Sequence, residues 1–211
     1  TALAPRVGGG FFIGGMFSSV EGQRRNGIAA FTSAGAVDLV FAPTQLAPTD
    51  TVVAFTGLPD GSVVIALPKN PNGTRAYLRR LKPTGEIDAS YAFPFEVNAT
   101  FTALTADARG RVLAAYSAVE LFEFGPGAPR YYLQRFTPTG AWDAAFNVGT
   151  GPANRVSSLD IAADGSVLVG GSFDRFDDLP VGVVVRRNPD QPATDTPPFL
   201  FDISTRGETG A

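Results

Sequence analysis

The chain contains no cysteine and no histidine in 211 residues. Without cysteine there are no disulfides, no thiolate nucleophile and no iron–sulfur ligation. Without histidine there is no Ser-His-Asp triad, no imidazole general base and no His-liganded metal. Charge is scarce as well: charged residues make up 18%, with 17 basic against 20 acidic and a net charge of −3. A nucleic-acid binder needs basic charge concentrated on one face, and this nearly balanced sequence shows no such footprint. No apolar run approaches the length of a membrane span, and no signal peptide is visible. What the chain has in quantity is Gly (24), Pro (17) and Phe (17), within a hydrophobic fraction of 44%. Short strands joined by many turns produce that balance, because Gly and Pro punctuate strands while Phe suits a pleated, half-buried surface.

Internal repetition organises the rest. A turn glycine followed by an apolar run appears as GGGFFIGG, DGSVVIAL, RGRVLAAY and DGSVLVGG. The glycines are Gly9, Gly61, Gly110 and Gly165, spaced 52, 49 and 55 residues apart. An aspartate leading to an aromatic recurs as Asp38 to Phe41, Asp88 to Tyr91, Asp143 to Phe146 and, more loosely, Asp195 to Phe199. Its offsets are 50, 55 and 52. A second turn lies between the two anchors in each copy, as TSAGAVD, KPTGEID, TPTGAWD and the diverged RNPDQPATD. Three anchors in one order, four times over, define four copies of about fifty residues: roughly 1–41, 42–93, 94–147 and 148–199.

Each copy reads as four short antiparallel strands. In the last, Val156 to Ile161 alternates into the turn Ala163-Asp164-Gly165, Val167 to Phe173 returns, and Val181 to Val185 follows a polar loop. Asn26–Phe31, Ala76–Leu81 and Tyr131–Phe136 are the third strands of the other copies. No segment shows sustained helical periodicity. The expected fold is all-β: a β-propeller, or a propeller segment of about four blades, each of four antiparallel strands. The copies span residues 1–190, and 191–211 is a Pro-rich linker or a closing strand. Copy one opens inside its first strand, so the expectation is an incomplete ring, completed by further blades or by another chain.

DGSVLVGGSF, a loop, an apolar strand, an Asn-Pro-Asp turn and an Asp-x-x-Phe element together resemble the delta-60 repeat of large bacterial surface and secreted proteins. The first copy matches that pattern most fully. Copies two and three depart from it where Gly-Gly becomes Ala66-Leu67 and Ala115-Tyr116. Copy four places Arg187 where the others have Phe31, Leu81 and Phe136, which predicts poorer packing of its third strand. The resemblance implies a propeller-like fold and a secreted or cell-surface setting, and it implies no catalytic set.

Candidate sites are few. The paired glycines 14–15 and 170–171 lack the following helix that phosphate binding needs, so close backbone approach is the better reading. The recurrent Asp38, Asp88 and Asp143 sit beside turns and are expected to cap backbone amides. Asp174, Asp177 and Asp178 crowd one loop and could hold Ca2+ through oxygen ligands, although their spacing matches no calcium-binding loop and a solvated acidic loop is favoured. No other cofactor is indicated. Copy three carries an insertion: Gly110 to Gly140 spans 30 residues, against 24 from Gly61 to Gly85 and 26 from Gly9 to Gly35. The added residues predict a long hairpin bearing Phe122, Phe124, Tyr131 and Tyr132, which could stack on sugars or dock a protein, or pack on its own blade.

The functional expectation is a non-catalytic extracellular scaffold or binding module of a larger bacterial envelope protein. Its partner is a protein or a glycan, within a larger assembly. The alternatives are an accessory subunit of a multi-protein complex, or a carbohydrate-active enzyme using paired carboxylates drawn from Glu96, Asp107, Asp160 and Asp177.

Overall fold

The computed structural model describes residues 2–68, 76–93, 99–122, 125–146, 149–188 and 199–200. Among these no helix forms; the elements are strands and turns. In chain order they are β1 (Ala2–Pro5), β2 (Phe11–Gly14), β3 (Ser19–Val20), β4 (Gln23–Arg24), β5 (Ile28–Phe31), β6 (Ala54–Gly57), β7 (Val63–Leu67) and β8 (Tyr77–Leu81). Then follow β9 (Ala99–Ala106), β10 (Val112–Phe122), β11 (Gly125–Phe136), β12 (Val156–Ile161), β13 (Val167–Gly171), β14 (Arg175–Phe176), β15 (Leu179–Pro180), β16 (Val184–Arg187) and β17 (Phe199–Leu200).

Four principal sheets result, all antiparallel: β1-β2-β5, β6-β7-β8, β9-β10-β11 and β12-β13-β16-β17. They are called units one to four. The anticipated fourth strand is not formed in the first three units. It is reduced to single bridges, Phe31↔Val37, Leu81↔Ile87 and Phe136↔Trp142. The reason is local: the aspartate directly after each bridge turns the chain away before a second pair can form. In unit four a fourth strand does pair, because Phe199–Leu200 lies beside Val185 and Arg186. Among the described residues of the Pro-rich tail, Phe199–Leu200 adds a strand to unit four. The third strand of that unit runs Val184–Arg187, beginning three residues and ending two residues later than the sequence pattern placed it.

The same turn closes hairpins throughout. Gly61 donates its amide to Leu58 O at 3.0 Å, and Leu58 donates to Ser62 O at 2.8 Å. Matching pairs of bonds form at Thr32 to Ala36, Lys82 to Glu86, Asp107 to Arg111, Thr137 to Ala141 and Ala162 to Ser166. Within each of these turns only the glycine takes a positive φ, +83° at Gly61 and +82° at Gly165, so the preceding aspartate need not. The repeating glycines of the sequence are thus the positions where the backbone must be left-handed.

The units stack face to face, and alternation along each strand decides which neighbour a side chain meets. Phe12, Ile28 and Ala30 of unit one share a core with Phe55, Val63, Ile65 and Leu81 of unit two. Val64, Ala66 and Leu78 of unit two meet Val112, Ala114, Tyr116 and Phe136 of unit three. Leu113, Ala115 and Leu133 of unit three meet Val167, Val169 and Val185 of unit four. Strand β7, buried along its whole length, is sandwiched between two sheets, and its unbroken run Val63–Leu67 reads accordingly. Among the described residues no hydrophobic cluster joins units one and four. Close approach makes some glycines obligatory: a Cβ on Gly14 would lie 2.5 Å from the Phe55 ring, and one on Gly171 would lie 2.2 Å from Arg155 O. That accounts for the glycine pairs without a phosphate.

Candidate functional site

The hairpin turns of all four units gather on one rim, and this rim holds most of the ordered charge. Each turn aspartate accepts an amide two residues on: Val40 to Asp38 at 2.9 Å, Ser62 to Asp60 at 3.0 Å, Ser90 to Asp88 at 3.0 Å and Ser166 to Asp164 at 3.0 Å. Asp143 receives Ala145 N in the same way at 3.1 Å. These are Asx turns, as the place of Asp38, Asp88 and Asp143 in the sequence indicates.

The remaining carboxylate oxygens face arginines. Arg80 donates Nε to Ser62 Oγ at 2.9 Å and a second nitrogen to Asp60, and its Nε lies 3.7 Å from Asp88. It then crosses into unit three, donating to Pro138 O at 3.2 Å. Arg186 repeats the inner part in unit four, with Ser166 Oγ at 2.7 Å and a second nitrogen on Asp164. Arg6 clasps Asp38 in unit one, and Arg135 pairs with Asp143 at 2.7 Å in unit three. These arginines are the organising residues of the rim, and sequence reasoning missed them. The signal existed in two Asp-Gly-Ser turns, each with an arginine 20 or 22 residues beyond its aspartate.

The carboxyls respond to these partners. Hydrogen bonds from the Ser166 hydroxyl and amide, with Arg186 adding to them, hold Asp164 below the usual carboxylate value of 3.8. The Ser90 hydroxyl does the same for Asp88, against a smaller upward pull from burial. Burial raises Asp60 and Asp38, but the Ser62 hydrogen bonds and Arg80 outweigh it at Asp60, and Arg6 and the turn amides outweigh it at Asp38.

Between units three and four the rim opens into a cavity of about 400 Å3, walled by Leu113 and by the charged Asp107, Arg109, Arg111, Arg135 and Asp164. Arg111 Nε is 2.5 Å from Asp107, whose other oxygen takes the amides of Arg109 and Arg111 at 2.9 Å. Asp107, Arg111, Arg135 and Asp164 in the cavity walls are each paired with an opposite charge. The cavity can hold a polar group, and its walls carry no nucleophile with an adjacent base.

The residues singled out in the sequence are dispersed. Tyr131 and Tyr132 lie in β11 and, being consecutive, occupy opposite faces. Tyr132 stacks on Tyr116 with centroids 5.1 Å apart and packs into the core between units two and three. Tyr131 pairs with Ser117 on the other face, half-buried. Phe122 ends β10 opposite Gly125, and Phe124 lies outside the described residues. The insertion does form the long hairpin β10–β11, of 11 and 12 residues.

Asp177 and Asp178 form the bend of the small hairpin β14–β15, with φ of +53° and +61°. Asp177 accepts Gly151 N at 3.0 Å and pairs with Arg187 at 2.5 Å; Asp178 meets Thr150 Oγ1 at 3.2 Å; Asp174 is exposed. Among the described residues no three acidic side chains converge as a metal site would require. Arg187 is not a defect in packing: it is buried, paired with Asp177, and its guanidinium lies 5.7 Å from the Phe176 ring centre. Of the carboxylates proposed for catalysis, Asp107 and Asp177 are engaged as described, Asp160 is exposed on β12, and Glu96 lies outside the described residues.

A family model for a β-propeller domain of unknown function, DUF5122, matches residues 162–190. That segment contains the fourth-unit turn, β13 and β16, so a propeller-type repeat is supported there. No curated protein matches the chain. Among solved structures, the extracellular domain of the one component system BT4673 from B. thetaiotaomicron is 16% identical with a TM-score of 0.44. It covers 82% of this chain, which spans 20% of that domain. A protein described as belonging to a gluconolactonase family is 14% identical with a TM-score of 0.49, covering 90% of this chain, which spans 60% of it.

Proposed function

We propose that this chain is a non-catalytic extracellular module of the delta-60 type, a propeller segment within a larger bacterial envelope protein that holds or binds a protein or glycan partner. The observation that carries this reading is the use made of the rim carboxylates. Asp38, Asp60, Asp88 and Asp164 are each spent on a turn amide and an arginine, and each is shifted downward. A glycosidase needs the reverse: one carboxyl raised towards neutrality to protonate a leaving group, facing a second across the bond. With histidine and cysteine absent, carboxylates are the main acid–base resource, and the rim uses them as structure. The largest difference in length between units is the extended hairpin β10–β11 of unit three, where Arg130 is exposed at the base of the extension. Scaffolds present partners with such projections.

The test is a panel of envelope polysaccharides and peptidoglycan fragments incubated with the purified chain. Saturable retention of one class, with the polymer length unchanged, is the expected outcome for a glycan partner. Release of reducing ends above the buffer rate would overturn the proposal.

A further inference from the structure

Units two, three and four close their first hairpin with the same turn, and one position in it changes sign. The amides of Gly61, Gly110 and Gly165 each reach back to a carbonyl at the turn's start, on Leu58, Asp107 and Ala162. The residue before the glycine is Asp60 in unit two, Arg109 in unit three and Asp164 in unit four. The residue after it is Ser62, Arg111 and Ser166. Where the turn reads Asp-Gly-Ser, an arginine of the third main strand closes on it: Arg80 on Asp60 and Ser62, Arg186 on Asp164 and Ser166. In unit three that register position is Arg135, opposite Leu113 as Arg80 is opposite Val64 and Arg186 opposite Leu168. Arg109 offers a guanidinium no acceptor, and Arg135 pairs instead with Asp143 at 2.7 Å, over the Phe146 ring at 4.8 Å.

The change of sign falls at a cavity wall. Between units two and three the junction leaves about 160 Å3, and Arg80 spans it to Pro138 O. Between units three and four it leaves about 400 Å3, with Arg109 in the wall of both spaces. The larger space is within the range of small-molecule sites, roughly 300–1,000 Å3. Arg111 is paired with Asp107, Arg135 with Asp143, and Asp164 with Arg186. Arg109 is exposed and is left as the surplus positive charge of the wall.

The two wall carboxylates are not fully used. An ionised carboxylate offers about four lone-pair positions. Asp107 takes the amides of Arg109 and Arg111 and the Arg111 Nε; Asp164 takes the Ser166 amide and hydroxyl and a nitrogen of Arg186. Each keeps about one position for a hydroxyl donor from outside. Ala106, Ile161 and Ala163 add apolar wall beside them.

We propose that the cavity between units three and four binds one hexuronate unit, its carboxylate on Arg109 and its hydroxyls on Asp107 and Asp164. Such a sugar acid brings one negative charge, hydroxyl donors and an apolar ring face on a single small body. A carboxylate meets a guanidinium through two parallel hydrogen bonds, so one free arginine is enough to hold it. Phosphate carries more charge than the surplus, and the two aspartates oppose it. An acidic peptide side chain supplies the charge without the hydroxyls. The proposal deepens the glycan form of the function proposed above and rests on it.

The test titrates galacturonate and glucuronate, as monosaccharides and short oligomers, into the isotope-labelled chain, with galactose, glucose and inorganic phosphate as comparisons. One uronate should shift the backbone signals of Arg109, Gly110 and Gly165 and the Arg109 Nε–H signal saturably, and the comparisons should bind about tenfold more weakly or not at all. Arg109→Asp gives unit three the residue of units two and four, so native circular dichroism and thermal unfolding should persist. Its uronate affinity should fall about tenfold or more, the loss of a charged hydrogen bond. Arg109→Lys should fall between the two, because an ammonium keeps the charge without the two-pronged geometry. If Arg109→Asp loses the native spectrum, Arg109→Lys decides alone, and unchanged affinity in it overturns the proposal. Equal binding of a neutral sugar or of phosphate, shifts confined to other surfaces, or no response to any uronate would each overturn it as well. A neutral glycan or a protein retained with these signals unmoved would remove this site and leave the function proposed above standing.

Discussion

Units one and four share a device not found among the described residues of the middle units, a hairpin of two-residue strands between the second and third main strands, yet they fill one core position in opposite ways. At the position of Phe31, unit four has Arg187. Phe31 stacks on Phe11 with the rings 4.8 Å apart, in a cluster that among the described residues holds side chains of unit one alone. Arg187 lies under unit three, buried, and its counter-charge Asp177 comes from the bend of the unit's own hairpin. The equivalent bend of unit one is Glu21–Gly22, with the same left-handed pair of residues and no arginine to answer. The repeat therefore accepts a charge in its core when the adjacent loop carries the partner. The loop decides what the strand can bear.

The largest effect should come from breaking the pair in unit four. Asp177→Ala leaves a buried guanidinium uncompensated, and unfolding by denaturant should show a loss of about 3–5 kcal/mol. Replacing both partners, Arg187→Leu with Asp177→Asn, copies the apolar solution of unit two and should recover most or all of that loss. If the double variant were as unstable as the single one, the pair would not be the reason for the hairpin. Phe31→Ala in unit one should be milder, about 2 kcal/mol, because among the described residues its cluster holds side chains of unit one alone. Phe12→Ala, on the other face of the same sheet and fully buried, is the control and should cost about 3–5 kcal/mol.

The smallest effect is that of pH on the rim. The carboxyls of Asp38, Asp60, Asp88 and Asp164 are lower in the folded chain than the ordinary 3.8. Their contribution is therefore present above the unfolded value and disappears as pH falls through the folded values. Thermal unfolding should be flat from neutrality to about pH 5 and decline below about pH 4. The clasps lie at the surface, with Asp60 and Asp164 exposed and Asp38 and Asp88 partly covered, so each adds little and the decline should be gradual.

Much of this architecture was written in the sequence because turns impose strict requirements on residues. Gly61, Gly110 and Gly165 mark left-handed positions, and Asp38, Asp88 and Asp143 mark Asx turns, so period and order could be read directly. The strand count could not. Val37, Ile87 and Trp142 sit in the right pattern for a fourth strand, but the Asx turn that follows ends pairing after one bridge. The hairpins β3–β4 and β14–β15 are two residues per strand, too short to show a period. For the same reason Asp177 and Asp178 read only as a solvated acidic loop with Ca2+ as the lesser alternative, although aspartate is simply one of the residues that tolerates a left-handed bend. The clasps of Arg80 on Asp60 and Arg186 on Asp164 escaped because the partners lie 20 and 22 residues apart, a distance that only the folded register closes.

The central claim is that the charged residues of the rim serve the fold and not a reaction. Carbon-detected NMR of the aspartate carboxyls across a pH titration tests it most directly. The account predicts that Asp38, Asp60, Asp88 and Asp164 all titrate below 3.8. A rim carboxyl with its midpoint near neutrality, as an acid catalyst requires, would contradict it.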